Sequence, residues 1–328
     1  MPVGLRWGTV SAVRERVEGL VRLEVDGNPC IAYPRVTGAV EEGDVVLVNT
    51  QAVALGLGSG GFDVLYANLT RGLGLEAPQD AHVMALPYAP VQHAVRFAEE
   101  EADDSSAGLD GLPVVCLGLH SQLAPVAAAL TGRRVVYVQV AGGALPVSLS
   151  DTVRALTTRR LLDRSIAVAP CFDSDLQCVT LAAALTCAAS GGADAVVCGI
   201  GPGIVGTGSR WGHGGLAVAE AANVAHALGG RPVIAPRVSL ADERERHLGL
   251  SHHTRAALAL CLGERRVAWP RGLAQPTGID VDEVDITGWE LACAALPLSH
   301  MGRGPEEDPW FFAAAFAAGR LAASLPAP

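Results

Sequence analysis

Between Leu112 and Pro270 the chain alternates short, continuous apolar runs with longer stretches rich in Ala and Leu. The runs PVVCLGL, RVVYVQV, SIAVAPCF, ADAVVCGI, RPVIAPRVS and RRVAWP have strand length, and stretches such as LAPVAAAL, LQCVTLAAALTCAA and LAVAEAANVAHAL carry a helical pattern. Strands that are apolar on both sides and separated by helices belong to a parallel sheet covered on both faces. The pattern predicts an α/β, Rossmann-like domain over residues 112–328, doubly wound around a mostly parallel sheet. From Trp7 to Leu69 the period is different: short runs punctuated by Gly and Asp read as strands, with turns at Asp26-Gly27-Asn28 and Glu41–Asp44. These predict a small all-β, barrel-like domain over residues 1–80. Residues 81–111 then connect the two, and their acidic tract Glu99–Asp110 reads as a solvated loop. Near the end, Asp308 and Pro309 mark a helix start of the N-cap and N1 type, and Phe312 and Phe316 share the face that covers the sheet.

In an open parallel sheet, ligands sit beyond the carboxyl ends of the strands, so the residues just after each strand carry the chemistry. Those positions are His120-Ser121, Gly142-Gly143-Ala144, Asp173-Ser174-Asp175, the loop Gly201–Gly215 and the segment Ser239–His253. Several also suit local structure. Asp173 or Ser174 suits an N-cap, Ser174 with Gln177 spells a capping box, and His120 suits a helix start or a satisfied core histidine.

The loop after ADAVVCGI holds glycines at 201, 203, 206, 208, 212, 214 and 215, and opens into an Ala-rich helix. Glycine lets backbone approach a ligand closely, and amides ahead of a helix attract anions. Gly201, Gly203 and Gly206 spell GxGxxG, yet the helix pattern begins only near Gly214 and no acidic residue ends the next strand, which disagrees with a dinucleotide fingerprint. No Lys follows the glycines as in a nucleotide phosphate loop, and Thr207-Gly208-Ser209 misses the GxSxG elbow. Within the loop, Arg210 has no local carboxylate partner, and Trp211 beside it suits stacking on Arg210 or on a ligand.

Ser239–Thr254 packs Asp242, Glu243, Arg244, Glu245, Arg246, His247, His252 and His253 between a strand and a helix. Connections of that length are usually functional, although ion pairs within a surface loop with Ser251 as N-cap would also use these residues. His247, His252 and His253 are the candidate proton-transfer groups, with Asp242 as orienter or metal ligand. Consecutive side chains at a helix start diverge, so His252-His253 is not read as a chelate and no metal is assigned. Gly201, Gly203, Gly206, Gly208, Arg210, Trp211, Arg244 and Arg303 are the candidate ligand-binding residues, because guanidinium forks match carboxylate and phosphate oxygens. Arg303 and His300 lie in the glycine-flanked SHMGRG.

Composition narrows the partners. A net charge of −10 without a basic run argues against nucleic acid or an anionic membrane, and leaves a small anionic ligand in a local basic pocket. The 50% hydrophobic content points to a homo-oligomer. No apolar run reaches the roughly 18 to 20 residues that span a bilayer, and MPVGLRWGTV lacks the apolar core of a signal peptide, so a cytoplasmic location is expected. The eight cysteines are scattered with no C-x-x-C pair, as buried free thiols would be.

GGALP at Gly142, GPGIVGTGSRWG at Gly201, the run from Arg244 ending in SHHT, and HMGRG before the last helix together resemble a bacterial family catalogued as domain of unknown function 3866. The resemblance covers nearly the whole chain and implies no activity, so function has to come from the residues. They point first to an enzyme acting on a small phosphorylated or carboxylated metabolite. A non-catalytic metabolite-binding or scaffold protein is the alternative, and a nicotinamide-dependent oxidoreductase is a weaker one. No cofactor is named by any of these residues.

Overall fold

The computed structural model describes residues 3–57, 60–76, 80–100 and 108–326. Three of the linker residues, 77–79, and most of the acidic tract, 101–107, lie outside the described residues. The chain forms two compact units, Met1–Arg96 and Phe97–Pro328.

In the first unit, β1 (Leu5–Val17), β2 (Leu20–Val25), β3 (Asn28–Ala32), β4 (Val45–Asn49) and β5 (Asp63–Asn68) close into a barrel in the order β1-β2-β3-β5-β4. The long β1 makes closure possible, because its first half pairs with β4 and its second half with β2. Asp26 and Gly27 take φ of 50° and 79°, the conformation a tight hairpin needs between β2 and β3. Inward-facing Val10, Val21, Leu23, Val25, Val46, Val48 and Leu65 fill the barrel. A hairpin of β6 (Val83–Ala85) and β7 (His93–Val95) completes this unit.

The second unit is built on an eight-stranded sheet that is parallel throughout. Its strands are β8 (Pro113–Leu117), β9 (Val135–Val140), β10 (Arg164–Val168), β11 (Leu176–Cys178), β12 (Ala195–Ile200), β13 (Arg231–Ala235) and, after the short pair β14 (Val238–Ser239) and β15 (Gly249–Leu250), β16 (Arg266–Pro270) and β17 (Asp282–Val284). Their order is β11-β10-β9-β12-β8-β13-β16-β17. The central strands are buried along their length, which is why they read as unbroken apolar runs. Helices Leu181–Ser190, Ala217–Ala227 and His252–Leu258 pack on one face, and Leu123–Ala129 and Pro309–Ser324 on the other. Phe312 and Phe316 are buried there. At Gly319 the last helix runs so close to Leu123–Ala129 that a Cβ would strike the Val126 carbonyl.

One local expectation is corrected, and the helix start at Asp308 and Pro309 is found without a side-chain cap. Leu176–Cys178 is an edge strand, and the following helix is capped by Thr180, whose side chain accepts from Ala183 N–H. The Ser174 hydroxyl instead accepts from Ala167 N–H and donates to the Leu176 carbonyl, so it joins β10 to β11. Asp308 precedes Pro309 at the helix start but makes no side-chain cap, because its carboxylate accepts from the Ser239 hydroxyl at 2.7 Å.

Topology fixes where a ligand can enter. The connection after β9 runs outward to β10, while that after β12 returns across β8 to β13, so loops part above the middle of the sheet. The residues following β8, β12 and β13 meet there.

Candidate functional site

The loop after β12 owes much of its glycine to backbone packing. Ala144 N–H donates to the Pro202 carbonyl, and Val205 N–H to that of Gly142. A Cβ on Gly201 would run into the Ala144 carbonyl, and one on Gly214 into that of Gly142. Gly201 is thus buried under the loop and does not line the cleft, whereas Gly203, Gly206 and Gly208 do. Arg210 and Trp211 sit at the tip of the loop, where Thr207 N–H donates to the Gly212 carbonyl and closes a turn. There the Arg210 guanidinium lies 4.3 Å from the centre of the Trp211 ring, and neither residue lines the cleft.

The cleft encloses about 640 Å³. The glycine loop forms one wall, Arg237, Arg244, Arg246, His247 and His253 a second, and Leu119–Ser121 with Ser299–Met301 the rest. The two segments singled out in the sequence therefore share one cavity.

Asp242 lies behind this surface and organises it. Its carboxylate accepts a bidentate pair from Arg244, both contacts at 2.9 Å, and a further bond from Arg237 at 3.0 Å; Arg303 stands 3.6 Å away. Burial pushes this carboxyl up, but the hydrogen bonds and charge of Arg244 and the charge of Arg237 outweigh it and hold Asp242 well below the usual carboxylate range. Burial lowers Arg237 to about 10, which leaves it charged at neutral pH. Asp242 thus orients arginines, not a histidine. Arg303 faces Asp242 and Asp308 and does not line the cleft. Arg246, which does, forms no ion pair among the described residues.

The histidines converge in a way their spacing does not suggest. Glu245–His247 is a short helical turn, and Ser251 caps the helix after it by accepting from His253 N–H at 3.2 Å. The same hydroxyl contacts His247 Nδ1 at 2.7 Å. The rings of His252 and His253 do not diverge: their centroids are 4.4 Å apart, and each is 4.8 Å from that of His247. His213, from the glycine loop, stacks on His253 at 3.7 Å. Burial lowers all four, with further lowering from neighbouring histidines or arginines; His247 falls to about 3 and His253 to about 2.

Across the cleft, His300 Nδ1 lies 3.2 Å from the Ser121 hydroxyl, and its ring stacks on Phe311 at 3.7 Å. His120 is tied at both nitrogens, to the Ser150 hydroxyl at 2.6 Å and the Ile200 carbonyl at 3.2 Å. It begins a short helical turn and is a satisfied histidine. Arg237 and His213 belong to the site although sequence did not single them out, and Ser121, Arg246 and His300, named there by position, belong to it without having been assigned a role. The position of each just after a strand or in a glycine-flanked loop was the available signal.

Burial, and then the charges of Arg237 and Arg303, lower His300 to about 3, which makes stability depend on pH. A histidine lowered in the folded state contributes stability that is present above its unfolded value, near 6.5, and lost as pH falls toward the folded value. Between pH 7 and 5 this residue alone is expected to remove about 2 kcal/mol. Urea unfolding of parent and His300→Gln at both pH values measures it: the variant should show the smaller acid loss, and equal slopes would refute the assignment.

Fold and cleft together define a doubly wound α/β protein with an arginine- and histidine-lined cavity at the carboxyl edge of its sheet. No helix among the described residues is long and apolar enough to cross a membrane. The chain belongs to the family described as protein of unknown function DUF3866, whose profile matches residues 29–319. A search of curated proteins gave no match.

Proposed function

We propose that the cleft is the active site of an enzyme acting on a small phosphorylated or carboxylated metabolite. One observation carries this reading: among the described residues the cavity is lined by Arg237, Arg244 and Arg246 and by no carboxylate, in a chain of net charge −10. The single carboxylate behind them, Asp242, does not offset these charges, and such a local excess draws a small anion in. Arg246, free of an ion pair, and the outer edge of Arg244 hold the anion, with the backbone of 203–208 opposite.

For proton transfer His300 is the best placed. It lines the cleft, its Nδ1 meets the Ser121 hydroxyl, and its Nε2 is buried without a hydrogen-bond partner. It enters uncharged, as a proton acceptor, and a bound anion raises its proton affinity. A nicotinamide enzyme fits less well, since the helix after β12 begins only at Ala217, far beyond the Ile200 strand end. A cytoplasmic, self-associating enzyme is the setting this reading assumes.

A thermal-shift screen of phosphorylated and carboxylated metabolites tests it. A true ligand should raise the melting temperature of the parent and not that of Arg246→Ala, whose own melting temperature should stay near the parent's. Conversion of the ligand, followed by NMR and lost in His300→Gln, marks an enzyme; binding without conversion marks a metabolite-binding protein. No shift with any anion sinks both.

A further inference from the structure

We propose that His247, His252 and His253 form a binding site for a divalent transition metal of the zinc class. Each offers one ring nitrogen, and the three nitrogens lie within 4.8 Å of one another. Three imidazoles on one tetrahedral zinc, with bonds of about 2.0 to 2.1 Å, hold their nitrogens roughly 3.4 Å apart. Closing that difference asks each nitrogen to move by about an ångström, within the reach of a side-chain rotation.

Several further observations agree. The Nε2 of His252 and the Nδ1 of His253 are buried and have no hydrogen-bond partner, and the same is true of both nitrogens of the adjacent His213. A buried polar atom left without a partner is costly, and two such atoms facing a third imidazole describe a set of donors waiting for one acceptor. His247 has the outer support that metal-bound histidines use, since Ser251 holds its Nδ1; its Nε2, which accepts a long bond from Arg246 Nε at 3.5 Å, is the ligand atom once Arg246 turns aside. Stacking of His213 on His253 fixes the plane of that ring.

No carboxylate belongs to the set, and Arg246 Nε stands 3.5 Å from His247 Nε2. Three neutral ligands leave a dication uncompensated beside arginines, which favours as fourth ligand an anion or a water that gives up its proton on binding. His247 and His253 line the cleft and His252 lies behind them against a neighbouring pocket, so the open position is reached from the cavity. Three histidines with one open position is the arrangement in which zinc activates water or polarises a bound oxygen. The inference thereby deepens the proposed function, on which it rests only for the identity of the anion. Metal binding is measured without any metabolite and can hold or fail whatever the screen shows.

The experiment uses full-length protein without a histidine tag, treated with chelator and dialysed. Titration with Co²⁺ should give visible absorption bands of tetrahedral cobalt, saturating at one ion per chain and displaced by Zn²⁺. His252→Ala and His253→Ala should each weaken binding at least 100-fold while melting at the temperature of the metal-free parent. Ser251→Ala, which removes the outer support of His247 together with the helix cap, should weaken it about 10- to 100-fold, and Ser251→Thr, which keeps a capping hydroxyl, should weaken it less. Should a histidine variant fail to fold, the parent titration still decides: no binding at one ion per chain overturns the proposal. So does binding that survives in a folded His252→Ala/His253→Ala double variant.

Discussion

Asp242→Asn is expected to lose about 3–5 kcal/mol of folding stability, the range for breaking a buried ion pair from one side. The argument rests on what is left behind. Arg237 is only 5% exposed, and its Nε has no hydrogen-bond partner even in the parent. Without the carboxylate, Arg237 and Arg244 would face each other with nothing to compensate them, and Arg303 would keep only Asp308. Urea denaturation at neutral pH gives the number. Adding Arg237→Met should restore part of the loss, because it removes the charge that has become unpaired. A loss below about 1 kcal/mol, the range of an exposed pair, would mean that water already reaches Arg237.

Phe311→Ala is the other large effect, at about 3–5 kcal/mol for deleting a buried aromatic ring. Phe311 is fully buried, meets Phe312 edge to face at 5.2 Å, and forms the platform under His300. The substitution should therefore also admit water beside His300 and bring its titration back toward neutral pH, which NMR of the ring protons reads directly. Phe311→Leu, which keeps most of the apolar volume, should retain most of the stability. If the histidine titrates unchanged in Phe311→Ala, the ring is held low by Arg237 and Arg303 alone.

These two residues also mark what sequence could and could not reveal. Buried parallel strands need apolar residues on both faces, so β8, β9, β12 and β13 stood out as unbroken runs, and with them the edge where ligands bind. The edge strands β11 and β17 are three residues each, too short to carry a period, and β11 was hidden inside a plausible helix start. At the cleft, the glycine loop and the Ser239–His253 segment were visible because each follows a core strand. Side-chain direction was not. Arg210 looked exposed to a ligand because no carboxylate is near it in sequence, yet it turns onto Trp211, while Arg246 faces the cavity. Arg303 finds Asp242 across a long stretch of chain, a pairing set by the fold and not by spacing. His252 and His253 come together with His247 around Ser251, which is both helix cap and partner of His247, a convergence that spacing alone does not show.

The bond between Ser239 and Asp308 joins the cleft to residues made 69 positions later. A chain emerging from the ribosome can pair β8, β9, β12 and β13 before residue 300 exists, but the wall bearing His300 and the carboxylate that holds Ser239 are still missing. The last helix, Pro309–Ser324, then docks against the face of the finished sheet and delivers both. A pocket complete in every wall therefore needs the chain as far as this helix, and shorter chains, which carry the arginines without the geometry, are expected to bind poorly.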